Sequence, residues 1–388
     1  LHIQFKNNVA MSLGVELELQ LLHGKTKDLV PLAPEVLRRL PAGYDRIKPE
    51  IFRSMIEVNT NICPTIADVK DDLMQSMELL YQVCDDLNIQ LASTGSHPFA
   101  KYHQRIIYPN ARYEKLIDRN RWIAERLMIF GIHVHIGMRN GEHAMQMTNG
   151  LIHYLPCLLA ISASSPFWQG RDTGLASSRI TIFEAMPTAG HPCTFESWGD
   201  FEHTVAAMTK SNTLTSMKDL WWDIRPSPDF GTIEIRVCDG MPTLTETLNL
   251  VALIQTLAYH IDAQLRSGKS IPPPPDWILR ENKWRAARWG LDANLIVNNQ
   301  GDCIAMRDFL QSTIEMIAPT AQLLGCSAEL NCLRLDLNEL PSYARQREIY
   351  NRAKSTRAVA DSLAQELRQD FEQLAAHRRN AQRVDEAT

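Results

Sequence analysis

Three short segments alternate apolar and polar side chains with a period of two: GVELEL (Gly14–Leu19), GIHVHIG (Gly131–Gly137) and GTIEIRV (Gly231–Val237). Successive side chains of an extended chain point to opposite faces, so Glu16 and Glu18 share one face while Val15, Leu17 and Leu19 turn to the other. In the same way His133 and His135 oppose Ile132, Val134 and Ile136, and Glu234 and Arg236 oppose Ile233, Ile235 and Val237. Such alternation usually marks an antiparallel strand with one face in water. Solvated faces mix Thr, Ser, Lys, Arg and Glu, however, whereas these hold only Glu, His, Gln and one Arg. Two carboxylates side by side stay ionised cheaply only where water or a cation offsets them, so the three segments predict strands that border a divalent-metal site. A further extended stretch, PEIFRSMIEVNT, adds Glu50 and Glu57.

Helical spacing appears between these strands. Val69, Leu73, Met77, Leu80, Cys84 and Leu87 predict one amphipathic helix over about 67–87, capped by Thr65. A strand in NIQLAST and a turn in GSHPF follow, and Arg112–Met128 reads as a second helix leading into GIHVHIG. The apolar run Leu151–Ala163 is too short to span a membrane and reads as a buried helix. From Gly170 to Trp198 neither period holds, which predicts a long irregular loop of the kind that often carries function. Thr243 with Glu246 forms a capping-box signature for a helix from about Leu244 that Gly268 closes. After the PPPP connection at Pro272–Pro275 the spacing is mostly helical from about Trp277 to Gln373, and the charged segment from His377 is expected to fray. The chain is thus of α+β class, one unit of residues 1–388 with a strand-rich part (1–270) that holds the site and a helical part (271–388). There is no internal repeat.

Bulk properties narrow the function. With 388 residues, 45% of them hydrophobic, the chain can fill a sizeable core. A net charge of -5 and the lack of a Lys/Arg block argue against nucleic acid as a partner. The eight cysteines lie far apart with no C-x-x-C pair, which suits buried thiols in a reducing cytoplasm; Cys238, beside the third strand, is the one cysteine to consider as a nucleophile. Nothing at the N-terminus reads as a signal peptide, and the start at Leu1 implies that a few native residues precede it. No membrane association is expected.

The candidate ligands are Glu16, Glu18, Glu50, Glu57, His133 and Glu234. Carboxylate oxygens with a single imidazole suit Mg²⁺ or Mn²⁺ better than Zn²⁺. Five carboxylates exceed the needs of one ion, and a cluster of two or three ions implies a strongly anionic ligand such as ATP. Neither a Walker A segment nor G-x-G-x-x-G occurs, so metals and arginines, with Arg225, Arg236 and Arg179 available, would have to hold the phosphates. Trp221 and Trp222 could stack on adenine, but paired aromatics before a proline turn read better as core. His97 reads equally as a structural cap or a substrate contact, and Arg112 as a helix-starting residue with a local ion pair, ahead of a role in binding a substrate carboxylate.

In their order along the chain, GVELELQL, SMIEVNT, STGSHPF, Arg112–Tyr113, GIHVHIG, ASSR (Ala176–Arg179) and DIRPSPDFGTIEIRVCD resemble the bacterial carboxylate–amine ligases of the glutamate–cysteine ligase type 2 group, from the first strand to about Gly290. That resemblance implies a glutamine synthetase-like fold, in which a curved antiparallel sheet flanked by helices lines a funnel for ATP and two or three divalent ions. It implies Glu18, Glu50 and Glu57 as ligands of one ion, and Glu16, His133 and Glu234 as ligands of the ion nearest the phosphates. It also implies phosphate contact for His135 and bracing of the transferring phosphoryl group by Arg225 and Arg236. The implied reaction is amide formation through an acyl phosphate, with a glutamate-like carboxylate and a cysteine-like amine as substrates. Two rivals remain: a metal-dependent amidohydrolase, which requires a β/α barrel with further His and Asp ligands, and a ligase-like nucleotide-binding regulator without turnover. Exposed sheet edges favour a homodimer.

Overall fold

Seven strands of the computed structural model, which describes residues 2–385 and side chains through residue 380, form one antiparallel sheet. They are β1 (Leu13–His23), β2 (Ile47–Pro49), β3 (Met55–Asn59), β4 (Ile89–Ala92), β5 (Ile132–Gly137), β6 (Ile224–Ser227) and β7 (Thr232–Ile235). The order is β6-β7-β5-β1-β3-β2, with β4 paired to the far half of β1. An antiparallel sheet of this kind excludes the barrel that the amidohydrolase reading needs.

Register turns the separate alternations into one polar face. Arg225 lies opposite Glu234, Glu234 opposite His135, and Glu16 between His133 and Asn59. Glu18 lies opposite Glu57, which in turn faces Lys48. Directly opposed residues share a face, so the charged residues from Arg225 to Lys48 lie on one side of the sheet in three adjacent rows. The other face carries Leu17, Val58, Val134 and Ile235, all fully buried. Burying such a side chain is worth about 1.5–3 kcal/mol, and a one-residue slip would exchange these residues with the charged ones. The pattern therefore fixes the register strongly.

The apolar face packs on helices Ile66–Asp86 and Leu244–Arg266. Thr65 and Asp68 form a complete capping box on the first. Thr243 caps the second, but the Glu246 carboxylate takes the Thr243 hydroxyl, so only half of the expected box forms. Helices Met306–Leu324 and Ser327–Asp336 pack on helix Leu244–Arg266, and the last helix, Thr356–Asp385, covers β4. One apolar cluster accordingly includes both Leu17 of the sheet and Ile317 and Leu367 of the C-terminal helices. Among the described residues no helix is long and apolar enough to cross a membrane.

Several expectations are corrected. The helix expected over 112–128 breaks into Ala111–Asn120 and Trp122–Glu125, because Arg121 adopts φ 48° and cannot continue an α-helix. The irregular stretch after Gly170 contains the helix Ser178–Phe183, whose first turn is capped by Ser177. The segment from His377, expected to fray, remains helical to Asp385, and its last three residues lie outside the described residues. Five cysteines are buried as expected, but Cys193, Cys303 and Cys332 are exposed.

Candidate active site

The charged face lines a cavity of about 300 Å³ whose wall includes every one of the ten site residues that the sequence singled out. They form two groups of three. Glu16, His133 and Glu234 can bring one ligand atom each to within 4.8 Å of one another, and so can Glu18, Glu50 and Glu57. β1 supplies one carboxylate to each group, because Glu16 and Glu18 are two residues apart on one strand face. Glu50 lies just beyond β2, where its own side chain accepts the Ile51 N–H at 2.9 Å.

The first group is embedded in cations. His133 Nδ1 lies 3.0 Å from Glu16 Oε2 and 3.9 Å from Glu234 Oε1, and His135 Nε2 lies 3.3 Å from Glu16 Oε1. Arg225 Nη2 donates to Glu234 Oε2 at 2.5 Å, and Arg236 pairs with Oε1 of the same carboxylate. Burial opposes ionisation of Glu16, but hydrogen bonds from His133 and His135 hold it well below the usual carboxylate range. Glu234 is likewise depressed, as Arg225 and Arg236 outweigh its desolvation. Burial and the Arg236 charge lower His133, which keeps its imidazole neutral and fit to ligate a metal. His135 is raised, because Glu234 and Glu16 overcome its burial. Its Nδ1 is tied to Thr232 Oγ1 at 2.9 Å, which orients the ring toward Glu16.

The second group has no such partners. Burial pushes Glu57 up to about 7, with the Glu16 and Glu18 charges adding to the effect. Glu50 is raised well above its usual range by burial and then by Glu57 and Glu18. Glu18 is raised because burial outweighs Arg179 and the Gly131 N–H. Three desolvated carboxylates converging on one point match the donor chemistry of a hard divalent cation, which would reverse all three shifts. The first group, two carboxylates and a neutral imidazole, also fits Mg²⁺ or Mn²⁺.

Arg179 sits deeper than its loop-like surroundings implied. It is buried, donates to the carbonyls of Arg236 and Val237 at 3.3 and 3.4 Å, and lies 4.0 Å from Asp239. Asp239 is anchored in turn by the hydroxyls of Ser165 (2.6 Å) and Ser177 (2.8 Å). Behind Arg236, Lys283 donates to Asp223 at 2.5 Å, and the Asp223 carbonyl accepts the Arg236 N–H at 2.7 Å. Nothing in the sequence pattern pointed to this link between the helical part and the arginine edge.

Other side chains are resolved or reassigned. His97 is structural: Nε2 lies 2.8 Å from the Lys27 carbonyl, Nδ1 accepts the Ala100 N–H at 2.9 Å, and burial lowers its pKa to about 4. Trp222 is core as expected, whereas half-buried Trp221 lines the cavity and stacks on Phe183 at 5.5 Å. Arg112 lines the cavity without the local ion pair expected for it. Lys48, opposite Glu57 in register, lines the cavity and was missed. Cys238 is fully buried with its thiol pushed up to about 12, which removes it as a nucleophile.

A polar funnel on an antiparallel sheet backed by helices defines the class, a glutamine synthetase-like ligase fold. The glutamate–cysteine ligase of Francisella tularensis in complex with AMP shares it, with a TM-score of 0.66 at 11% identity over 95% of this chain and 90% of that one. So does a bifunctional glutathione synthetase from Pasteurella multocida, with a TM-score of 0.66 at 16% identity over 94% of this chain and 51% of that one. At such identities the likeness is one of fold. Sequence goes further: residues 12–380 match the model of glutamate–cysteine ligase family 2, and the chain belongs to that family. A protein named "Putative glutamate–cysteine ligase 2" from Bdellovibrio bacteriovorus is 45% identical over 95% of this chain and 98% of its own length. One of the same name from Thermobifida fusca is 41% identical over 94% and 93%. Membership makes the chain an ATP-dependent carboxylate–amine ligase.

Proposed function

We propose that the protein is a glutamate–cysteine ligase, in which the γ-carboxylate of glutamate attacks the γ-phosphate of ATP and the amine of cysteine then displaces phosphate from the acyl phosphate. The products are γ-glutamylcysteine, ADP and phosphate. The observation that carries this reading is the pair of ligand groups on one sheet face, in a chain whose family is defined over nearly its whole length. Glu16, His133 and Glu234 would hold one divalent ion and Glu18, Glu50 and Glu57 another, and such ions neutralise phosphate oxygens as charge shifts between them.

The chain's own residues do the rest by position and charge. Arg225 and Arg236 reach the same carboxylate from two sides, so their guanidinium groups converge where the transferring phosphoryl group would lie. His135, fixed by Thr232, is a further donor toward the phosphates. Lys283 and Asp223 hold the Arg236 backbone, and Arg179 holds its carbonyl, which keeps this edge from relaxing when charge moves. Cys238 is fully buried, and direct attack of the substrate carboxylate on ATP requires no covalent enzyme intermediate. The test is ADP release from ATP and Mg²⁺ with glutamate and a panel of amino acids as amines, with the product identified by mass. A γ-glutamyl product formed best with cysteine is the expected result. A different preferred amine would replace the substrate assignment and keep the chemistry.

A further inference from the structure

The part of the cavity wall beside His135 is a turn held from outside by a distant segment of the chain. β6 and β7 are four-residue strands, and β6 is an edge of the sheet. The residues that join them, Pro228, Asp229 and Phe230, line the cavity together with Ser227. A short hairpin at an edge has little of its own to fix it. Here an extended arm, residues 3–8, supplies the support. The Ile3 N–H donates to Glu202 Oε1 at 2.6 Å, and the Phe5 ring meets Trp198 edge-on at 5.3 Å, which anchors the arm on helix Trp198–Lys210. From that anchor the Lys6 N–H donates to the Pro228 carbonyl at 3.0 Å, and Asn8 Nδ2 donates to the Phe230 carbonyl at 2.9 Å. Gly231 has φ 67°, and a Cβ there would stand 2.2 Å from the Lys6 carbonyl oxygen, so the arm lies against the turn at a distance that only glycine allows.

Gly231 is flanked by the two residues that fix His135. Thr232 Oγ1 lies 2.9 Å from Nδ1 of the imidazole, and the Phe230 ring stands nearly perpendicular to it with centroids 5.8 Å apart. Phe230 is 58% exposed, so the backbone that carries the ring, and not its burial, sets where it lies. We propose that Phe5, the Lys6 backbone and Asn8 position His135 for the reaction: the arm clamps the turn, and the turn holds the imidazole toward the phosphates through Thr232 and Phe230. A donor misplaced by about 1 Å can cost on the order of a hundredfold in rate, so a clamp of this kind acts on catalysis without touching substrate. The inference rests on the ligase reading, which sets His135 against the phosphates, and adds to it a segment outside the cavity.

The test is steady-state ADP release by the full chain with ATP, Mg²⁺, glutamate and cysteine, for the wild type, Phe5→Ala, Asn8→Ala, Asn8→Asp, Phe230→Ala and the double variant of Asn8→Ala with Phe230→Ala. Asn8→Asp keeps the oxygen that accepts the Val9 N–H at 2.7 Å and loses the donor to Phe230, so it separates the arm's own conformation from the clamp. Asn8→Ala and Asn8→Asp should both lower kcat by a factor of about three to ten, the size of one hydrogen bond, with KM for glutamate within about twofold. Phe5→Ala should act in the same direction. The double variant should lose less than the product of its two single losses, because both changes act on His135. Thr65→Ala, which removes the cap of helix Ile66–Asp86, should lower stability in denaturant without changing kcat. Unchanged kcat in Phe5→Ala and Asn8→Ala, wild-type kcat in Asn8→Asp, a fully multiplicative double variant, or an equal loss of kcat in Thr65→Ala would each overturn the positioning role. Calorimetric titration with ADP and Mg²⁺ keeps the two readings apart. No ADP release by the wild type removes the ligase; the clamp then stands if Asn8→Asp binds ADP about three to ten times more weakly than the wild type, and falls if the two bind it equally or not at all.

Discussion

Glu16 and Glu234 are answered by the chain's own groups, with hydrogen bonds from His133 and His135 on one and two arginines on the other, and both are held ionised. Glu18, Glu50 and Glu57, on the same sheet face, have no cation at ion-pair distance among the described residues, and all three are pushed toward protonation. The difference follows from register. β7 and β6 bring Glu234 and Arg225 to the first group, whereas β3 brings Glu57 directly opposite Glu18. One group is therefore a finished part of the folded protein, and the other is an electrostatic debt that only a bound cation cancels. A carboxylate cluster can be read as a stabilising network or as a binding site only after its counter-charges are counted.

The same substitution in the two groups should expose this contrast most strongly. Glu234→Gln and Glu57→Gln should each lower ADP release at least about a hundredfold, since each removes a charged ligand while keeping shape. Their effects on stability should have opposite signs. Glu234→Gln leaves two arginines, each with a side chain only 12% exposed, without their partner and should cost about 3–5 kcal/mol. Glu57→Gln removes a carboxylate that folding forces up to about 7, and in EDTA above neutral pH it should stabilise the protein by about 3 kcal/mol. Denaturant unfolding of both variants measures this, and shifts of the same sign would break the comparison.

The pH dependence sharpens it. A carboxylate whose folded pKa is raised binds more protons folded than unfolded between the two values, so stability falls as pH rises through that window. For Glu57 the window runs from its ordinary value of 4.5 to about 7. Glu16 and Glu234, whose folded values are depressed, contribute stability that is present above the unfolded value and lost only in strong acid. In EDTA, Glu57 should therefore make stability decline by about 3 kcal/mol from near pH 4.5 to 7.5, Glu50 and Glu18 should add to that decline, and Glu57→Gln should make it shallower. Adding Mg²⁺ should flatten it, because a bound cation favours the ionised groups. A decline of unchanged size in Glu57→Gln would assign it to other groups.

How far this was visible in the sequence depends on the kind of information needed. Glu16, Glu18, His133, Glu234 and Arg236 were legible because alternation fixes a face without knowledge of neighbours. Their division into groups rested on the family resemblance, since strand order and register are long-range properties that no local period encodes. Glu50 lies past the end of its strand, where alternation says nothing of where it points. Arg112 was misjudged because at the start of a helix the short-range expectation is a local partner, and only the packing of Tyr113 against Pro49 turns it toward the cavity. The link from Lys283 to Asp223 joins residues 60 positions apart and left no pattern at all. The break at Arg121 is a single left-handed residue with none of the glycine that normally announces one.

The smallest expected effect concerns the order in which the groups take up metal. With no cation at ion-pair distance, the Glu18, Glu50 and Glu57 group should bind Mn²⁺ about tenfold more tightly at pH 8 than the arginine-neutralised group, in the absence of nucleotide. Calorimetric titration should resolve two classes of site, with Glu57→Gln losing the tighter class and Glu16→Gln the weaker. Lowering the pH to 6 should narrow the gap, since protons then compete at Glu50 and Glu57 but not at Glu16 and Glu234, which remain ionised. Uptake at the tighter class should release more protons per ion at pH 6 than uptake at the weaker class. Heats measured in buffers of different ionisation enthalpy report that proton count directly. Equal release at both classes would mean that the two groups share one electrostatic environment, and the contrast drawn from their counter-charges would not hold.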